Sequence, residues 1–391
     1  MELRPGQHLR RLREYPLDAV NRIAGEIGPR RATSLSEAQA AAYLDGRLRR
    51  AGLRVSVDPF RAPSGISADG LLLALLALIS VALYYWFPLP SLFLALWSVA
   101  IAGVMLRQPG MPLLTRRRLS QNVIATRATT QAPRWRVVLL APLDSPPAMG
   151  WLTRLLGDDI RPLVGRVVAC GLLTLFALIG LLDVRRVWWY AQMLPAAYLL
   201  LLAILELWML RAPTTPGAVN HAGALAVLLA SAEELNTLQQ TELWVIALGA
   251  TNSGAGLADL LRRYPFDSAV TLFIGIEGIG HGALSYVTRE GLLRKHMVDP
   301  LLLQLVAAVD AHDPLINAEP HLSGRERTIV RPLQRAGRRA LTITCLEANG
   351  EVPYRGSPED TSEVVDGPTL ERAVRLVAGL VRKIDATQEA G

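Results

Sequence analysis

Residues Arg136 to Pro147 read RVVLLAPLDSPP. The apolar run from Val137 to Ala141 has no polar alternation, so it predicts a strand buried on both faces rather than one that floors a half-solvated sheet. It stops at Pro142-Leu143-Asp144-Ser145 and a Pro-Pro turn, which delivers a polar tip to one edge of the sheet. In open α/β sheets that edge is where ligands bind, and the residues at the tip decide the chemistry.

Around this strand the chain is too apolar for one ordinary soluble domain. Its 391 residues are 51% hydrophobic, with a mean hydropathy of +0.28. Membrane-crossing segments account for the excess. LLLALLALISVALYYWF from Leu71 and SLFLALWSVAIAGVML from Ser91 carry no charge between Asp69 and Arg107, and Pro88 and Pro90 divide them. A second pair follows, Leu163 to Leu182 and Val187 to Leu210, joined by Asp183-Val184-Arg185-Arg186. Two transmembrane hairpins, four helices in all, are therefore expected at 68–107 and 162–211. They interrupt a globular domain made of 1–67, 108–161 and 212–391. Tyr84, Tyr85 and Trp86 end the first helix while Trp188, Trp189 and Tyr190 begin the fourth, as an interfacial aromatic belt would.

Hairpins return the chain to the side it left. Arg107, Arg116, Arg117, Arg118, Arg161 and Arg211 lie near span ends on that side, against Arg185 and Arg186 at the tips. The positive-inside rule then places the globular parts in the cytoplasm and the spans in the plasma (inner) membrane as a multi-pass protein. The stretch MELRPGQHLRRLREYPL has no apolar h-region, so no cleavable signal is expected in it. The net charge of +7 is scattered and juxtamembrane, so the bilayer is the expected partner and nucleic acid is not. Cys170 and Cys345 give neither a disulfide framework nor a metal pair.

Outside the spans the elements alternate. Ser34 followed by Glu37 is a capping box opening a helix that ends at Gly52, and Val55, Val57 and Phe60 begin a strand. Helices are expected over 217–235, 255–263 and 300–311, strands over 243–248, 270–276 and 340–344. A closing helix carries Leu370, Val374, Val377, Val381 and Ile384 as one apolar stripe. This is an α/β fold with helices on both faces of a central sheet.

Five fragments in order carry a resemblance: SQNVIAT with VVLLAPLDS, PGAVNHAGALAVLLASAEEL from Pro216, VIALGATNSGAGLADLL from Val245, FIGIEGIGHG from Phe273 and PYRGSPEDTSEVVDGPTLERAVRLV from Pro353. With IAGEIGPRRATSLSEAQAAAYLDGRLRRAGLRV before them, they resemble the M28 zinc peptidases over nearly all of the chain outside the spans. The resemblance implies a mixed central sheet flanked by helices. It also implies two zinc ions bridged by a carboxylate, with a glutamate as general base. Such an ion pair needs anionic ligands to offset its own repulsion.

The implied ligands are replaced almost throughout. The strand tip of the family carries His-x-Asp, and here it is Pro142-Leu143-Asp144, so only the orienting carboxylate is kept. The bridging aspartate falls on Asn220, followed by His221. The adjacent base and ligand glutamates fall on Thr251 and Asn252. The next carboxylate falls on Glu277, and the last histidine on Arg355 or Gly356. Threonine cannot serve as a general base near neutrality, and a guanidinium adds the wrong charge. The expectation is a pseudopeptidase without zinc or another cofactor, its vestigial cleft lined by Pro142, Asp144, Asn220, His221, Thr251, Asn252, Glu277 and Arg355 and open to a protein or peptide partner.

Two readings compete. A hydrolase with a metal site rebuilt from His221, Glu277 and His281 is one, although glycines 278, 280 and 282 favour a loop there over a helix face. A membrane bundle that handles a small molecule or lipid is the other, motivated by Arg166, Pro195 and Glu206, where simple snorkelling and a proline kink are the bland alternatives. Arg355, if turned into the cleft, would hold a carboxylate bidentately. Ser253 has no identifiable acid or base partner for serine chemistry.

Overall fold

The computed structural model describes residues 15–64, 69–107, 116–129, 132–149, 161–183, 185–290, 296–323 and 328–387. The chain divides into two compact units, one of Met1–Ala62, Leu119–Pro147 and Thr214–Gly391, the other of Pro63–Arg118 and Ala148–Pro213.

The first unit is built on one mixed sheet. Strand β3 (Trp135–Pro142) lies between β4 (Thr241–Leu248) and β5 (Thr271–Ile276) and runs parallel to both, with Leu140 opposite Ile246 on one side and Gly275 on the other. Beyond β4 come β2 (Arg117–Arg127), antiparallel to it, and β1 (Arg54–Pro63). Beyond β5 lie β9 (Ala340–Leu346), parallel to β5, and then β6 (Ala283–Glu290), which pairs with β7 (His296–Met297) and β8 (Glu319–Ser323).

The unbroken apolar run of β3 has the predicted cause. Val137 to Ala141 are all 0% exposed, and alternate residues enter different cores. Val137, Leu139 and Ala141 join one apolar cluster with residues of α1 (Pro16–Val20, continued as a wider turn over Asn21–Ile27), α2 (Leu35–Arg50), α7 (Gly223–Glu234), α9 (Pro300–His312) and α11 (Gly367–Asp385). Val138 and Leu140 join another with Leu257 and Leu260 of α8 (Ala255–Arg263) and Leu333 of α10 (Arg331–Arg335). Each such leucine contributes roughly 1.5–3 kcal/mol by leaving water. The stripe on α11 is buried throughout, and Asp366 caps that helix by accepting the Thr369 N–H at 3.0 Å. The predicted helix over 217–235 starts later, because the chain kinks at Asn220 and His221, whose backbone angles are not helical.

Among the described residues the second unit holds four helices: α3 (Asp69–Tyr84), α4 (Pro88–Arg107), α5 (Arg161–Leu182) and α6 (Val187–Arg211). Each packs on two others, closing a ring. Among the described residues three helices are long and apolar enough to cross a membrane: Pro88–Leu106, Arg161–Leu182 and Val187–Met209. The expected fourth is shorter. Helix α3 has 16 residues, about 24 Å at 1.5 Å per residue, against a hydrocarbon core of about 30 Å. Large apolar side chains such as Leu75, Phe93, Leu96, Leu178, Leu194 and Ile204 are exposed on this unit, a surface that water alone would not tolerate.

Within the bundle several polar groups find partners. Ser80 and Ser91 each donate to the other's carbonyl, at 2.9 and 2.7 Å. Arg166 and Glu206 do not snorkel; they pair with each other across α5 and α6, both largely buried. Two charges on facing helices lose less free energy by pairing than by separate burial in an apolar bundle. At the hairpin tips Arg186 stacks on Tyr85, 5.8 Å from the ring centre, and Trp188 donates to Asp183 at 3.0 Å.

Candidate functional site at the ends of the parallel strands

The C-terminal ends of β3, β4 and β5 meet where chain connections leave in opposite directions: β3 leads across to β4 on one side, and β4 leads back over it to β5. This is the switch point at which α/β sheets bind ligands. Pro142 ends β3 opposite Leu248, and Leu143 and Asp144 follow as buried residues.

Four carboxylates stand at or near this edge and accept from donors of the fold, while Asp144 Oδ2 is buried with no hydrogen-bond partner among the described residues. Asp144, 1% exposed, accepts the Thr251 N–H at 3.0 Å and the Thr251 hydroxyl. Burial raises its pKa, against the pull of these bonds. The Ser34–Glu37 spacing predicts Glu37 as a local cap. Ser34 does accept the Glu37 N–H at 3.2 Å, but the Glu37 carboxylate takes the Thr33 N–H at 2.7 Å, the Ser120 hydroxyl at 3.0 Å and the Ala250 N–H at 3.0 Å. It therefore ties α2 to β2 and to the loop after β4. Asp360 accepts from Val219 N–H at 2.6 Å and from Asn220 N–H at 3.1 Å, and burial raises its pKa also. Glu277 faces Ile329, whose N–H it accepts at 3.2 Å.

Asn220 is 1% exposed, and its amide nitrogen donates to Pro353 O at 2.9 Å and to Asp360 Oδ2 at 3.1 Å. The amide thus pins the loop from Pro353 to Asp360 onto the kink before α7. His221 is half-buried, with Nδ1 buried and unpartnered. Burial, with Arg355 and then Arg30 adding positive charge, pushes its pKa down to about 3, so the ring is neutral at physiological pH. Thr251 is half-buried and Asn252 exposed. His281 lies apart, its Nδ1 3.0 Å from Val364 O and its ring edge-on to Tyr354.

Sequence reasoning passed over Arg30. It is fully buried and donates to five carbonyls, Ile23, Gly28, Leu143, Pro216 and Gly217, at 2.9–3.2 Å. Burial pushes its pKa down to about 10, while Asp360 and Asp144 oppose that shift, so it remains charged at neutral pH. Gly217 makes this convergence geometrically feasible. Its φ is +67°, and a Cβ there would lie 2.4 Å from Asn220 O and 2.5 Å from Ser145 Cβ.

Among the described residues no group of three or more His, Cys, Asp and Glu side chains is placed to hold a metal ion. His221, Glu277 and His281 are not brought together as ligands. A donor amide at 220 and a guanidinium at 355 do not fit a pair of divalent cations either, since both present hydrogens where such ions need lone pairs.

No family profile and no curated protein matches the sequence. Solved structures do. A zinc aminopeptidase from Bacillus subtilis aligns over 95% of this chain and 94% of its own, with a TM-score of 0.57 at 13% identity. The fold is that of the M28-type zinc peptidases. An aminopeptidase from Aneurinibacillus sp. strain AM-1 aligns over 94% of this chain and 92% of its own, with a TM-score of 0.57 at 14% identity. Glutaminyl cyclase from Porphyromonas gingivalis aligns over 95% and 97%, with a TM-score of 0.55 at 13% identity. The M28-like architecture is thus kept at an identity that leaves the chemistry free to differ.

Glu37 supplies a pH test of this site. Burial and the neighbouring Asp144 charge push its pKa up to about 7 from an ordinary 4.5. The folded state therefore holds this proton more tightly than the unfolded chain. The stabilisation is fully present below about 4.5 and is lost as pH rises through about 7, an effect of about 3 kcal/mol at full amplitude. His221 works in the opposite direction, stabilising above 6.5 and losing that contribution as pH falls toward 3. Comparing Glu37→Gln with the parent isolates the glutamate. The melting temperature of the parent is expected to drop relative to the variant between pH 5 and pH 8, and parallel curves would refute the assignment.

Proposed function

We propose that this chain is an integral membrane pseudopeptidase, whose M28-like domain binds or scaffolds a protein or peptide partner and does not hydrolyse it. The observation that carries this reading is the amide of Asn220. It is held as a donor between Pro353 O and Asp360, at the position where the family pattern requires a bridging anion. A carboxylate at that point would face two acceptors, so the local fold is built around a group that cannot bridge cations.

The other replacements support the same conclusion. Pro142 offers no side-chain lone pair, Thr251 spends its hydroxyl on Asp144, and Arg355 sets positive charge beside His221. A fold kept without its metal ligands is kept for its surface or cleft. The apolar helices support residence in the plasma (inner) membrane, and the arginine bias at their ends supports a cytoplasmic domain. In this reading the domain needs no zinc and contacts no nucleic acid.

Metal analysis and peptidase assays on the detergent-purified protein test the proposal together. The expected result is zinc far below one ion per chain and no release of amino acids from an aminoacyl or peptide panel. Two ions per chain, with turnover that a chelator abolishes and zinc restores, would overturn it.

A further inference from the structure

The charges of the second unit are sorted by exposure. Among the described residues its acids are Asp69, Asp183 and Glu206. Asp69 is 1% exposed, Glu206 is paired with Arg166, and Asp183 accepts from Arg185 and Trp188. Arg116, Arg117, Arg118 and Arg211 are exposed instead. Among the described residues none of these four guanidinium groups has a hydrogen bond or an ion pair.

The free cations gather at one end of the bundle. A Cβ on Gly70 would collide with the Glu206 carboxylate, and Glu206 meets Arg166. The first turn of α3, the second turn of α5 and the last turns of α6 therefore lie side by side. The apolar span of α6 stops at Met209, and Arg211 closes that helix, about 7.5 Å beyond Glu206 along its axis. The arginine run is tethered to the same end. Ser64 donates its N–H and its hydroxyl to Arg116 O, at 3.0 and 3.1 Å, and it stands five residues before Asp69, where α3 begins. Five residues span at most about 18 Å. Arg117 and Arg118 open β2, and successive side chains of a strand turn to opposite faces, so the run presents a cation on each side.

We propose that Arg116, Arg117, Arg118 and Arg211 form a binding surface for anionic phospholipid headgroups, at the end of the bundle where α3 begins. An acidic protein docking on one face of the strand would leave the cation on the other face unpaired, whereas a headgroup layer surrounds whatever enters it. The guanidinium fork matches phosphodiester oxygens bidentately, and basic residues beside a span attract anionic lipid within about a Debye length. The described acids at this end are buried or paired, so they do not oppose that attraction. The surface rests on residence of the bundle in a bilayer, and is independent of whether the globular domain hydrolyses peptides.

Native mass spectrometry of the full chain tests it, with the protein released from detergent carrying equal amounts of phosphatidylglycerol and phosphatidylcholine of the same acyl chains. Retained phosphatidylglycerol is expected to exceed phosphatidylcholine about fivefold or more at low salt, and the ratio should fall as salt rises. Replacing Arg116, Arg117 and Arg118 together by Gln should bring the ratio near unity without moving the melting temperature, because these side chains hold nothing in the fold. Arg211→Gln should lower it by less. Arg185→Gln, whose guanidinium is taken by Asp183, should leave it unchanged. If the triple variant does not fold, Arg117→Gln and Arg118→Gln singly are each expected to lower the ratio about twofold. A preference that survives these substitutions in folded protein would overturn the proposal, as would excess inorganic phosphate emptying the parent of phosphatidylglycerol, which would mark a site for free anions. Retention of both lipids without preference would leave membrane residence standing and remove the headgroup surface alone. A chain that keeps no lipid and stays monodisperse without detergent would remove both.

Discussion

An Arg30→Met chain is expected not to reach the folded state, whereas Arg31→Met one residue away is expected to behave like the parent. Arg30 is 0% exposed and its guanidinium donates five hydrogen bonds to carbonyls. Those carbonyls come from the turn after α1, from the tip of β3 and from the loop entering the kink before α7. Methionine fills a similar volume but leaves all five oxygens without a donor inside the protein. Each orphaned buried acceptor costs about 1–3 kcal/mol. Even with strong non-additivity the total exceeds the 4–5 kcal/mol that marks an exceptional substitution, against a whole-domain stability of about 5–15 kcal/mol. The change also removes a cation that interacts electrostatically with Asp360 and Asp144. Arg30→Lys keeps the charge with three donors in place of five and should give a folded but weakened protein. Arg31 is exposed, and its replacement should stay within about 0.5 kcal/mol. The fraction of membrane-extracted protein that is monodisperse and protease-resistant measures all three. An Arg30→Met sample melting within a few degrees of the parent would show that the five bonds do not hold the cleft together.

The same pair shows where sequence reading stops. Arg30 and Arg31 are adjacent, chemically identical and set in a loop, so no periodicity separates the buried one from the exposed one. What distinguishes them is the meeting of three segments remote in sequence, which only the fold creates. Strand β3 was legible for the converse reason. Burial on both faces leaves an unbroken apolar signature in the chain itself, and the stripe on α11 and the loop after Glu277 are local signals of the same sort. Glu37 falls between the two cases. Its spacing from Ser34 announced a cap, yet its carboxylate reaches β2 and the end of β4, contacts that lie 83 and 213 residues away. The cleft positions are assigned from ordered landmarks along the sequence. That Asn220 is a two-way donor was not legible, because an amide's role depends on which acceptors the fold sets before it.

Asn220→Asp places a carboxylate at the kink before α7, and it is expected to damage the protein without recruiting zinc. The Asn220 amide nitrogen bonds Pro353 O and Asp360 Oδ2 in a site 1% exposed. A carboxylate there has no hydrogen to give either acceptor and sets a second negative charge against Asp360. Breaking a buried polar arrangement so that a charge is left uncompensated costs about 3–5 kcal/mol. The introduced acid would have its folded-state pKa raised, so the penalty is present above the ordinary aspartate range and shrinks as pH falls and the group takes up a proton. A melting temperature deficit that is large at pH 8 and smaller at pH 5 is therefore expected. Zinc discriminates between a cleft that lacks only a bridging charge and one rebuilt around an amide. In the first case the variant would bind the metal and recover stability as ligand binding to the folded state requires. In the second, zinc leaves the deficit untouched, because Pro142, Thr251 and Arg355 still supply no ligands. The second outcome is expected. Stoichiometric zinc that returns the variant to the parent melting temperature would mean that a latent metal site lies one substitution away.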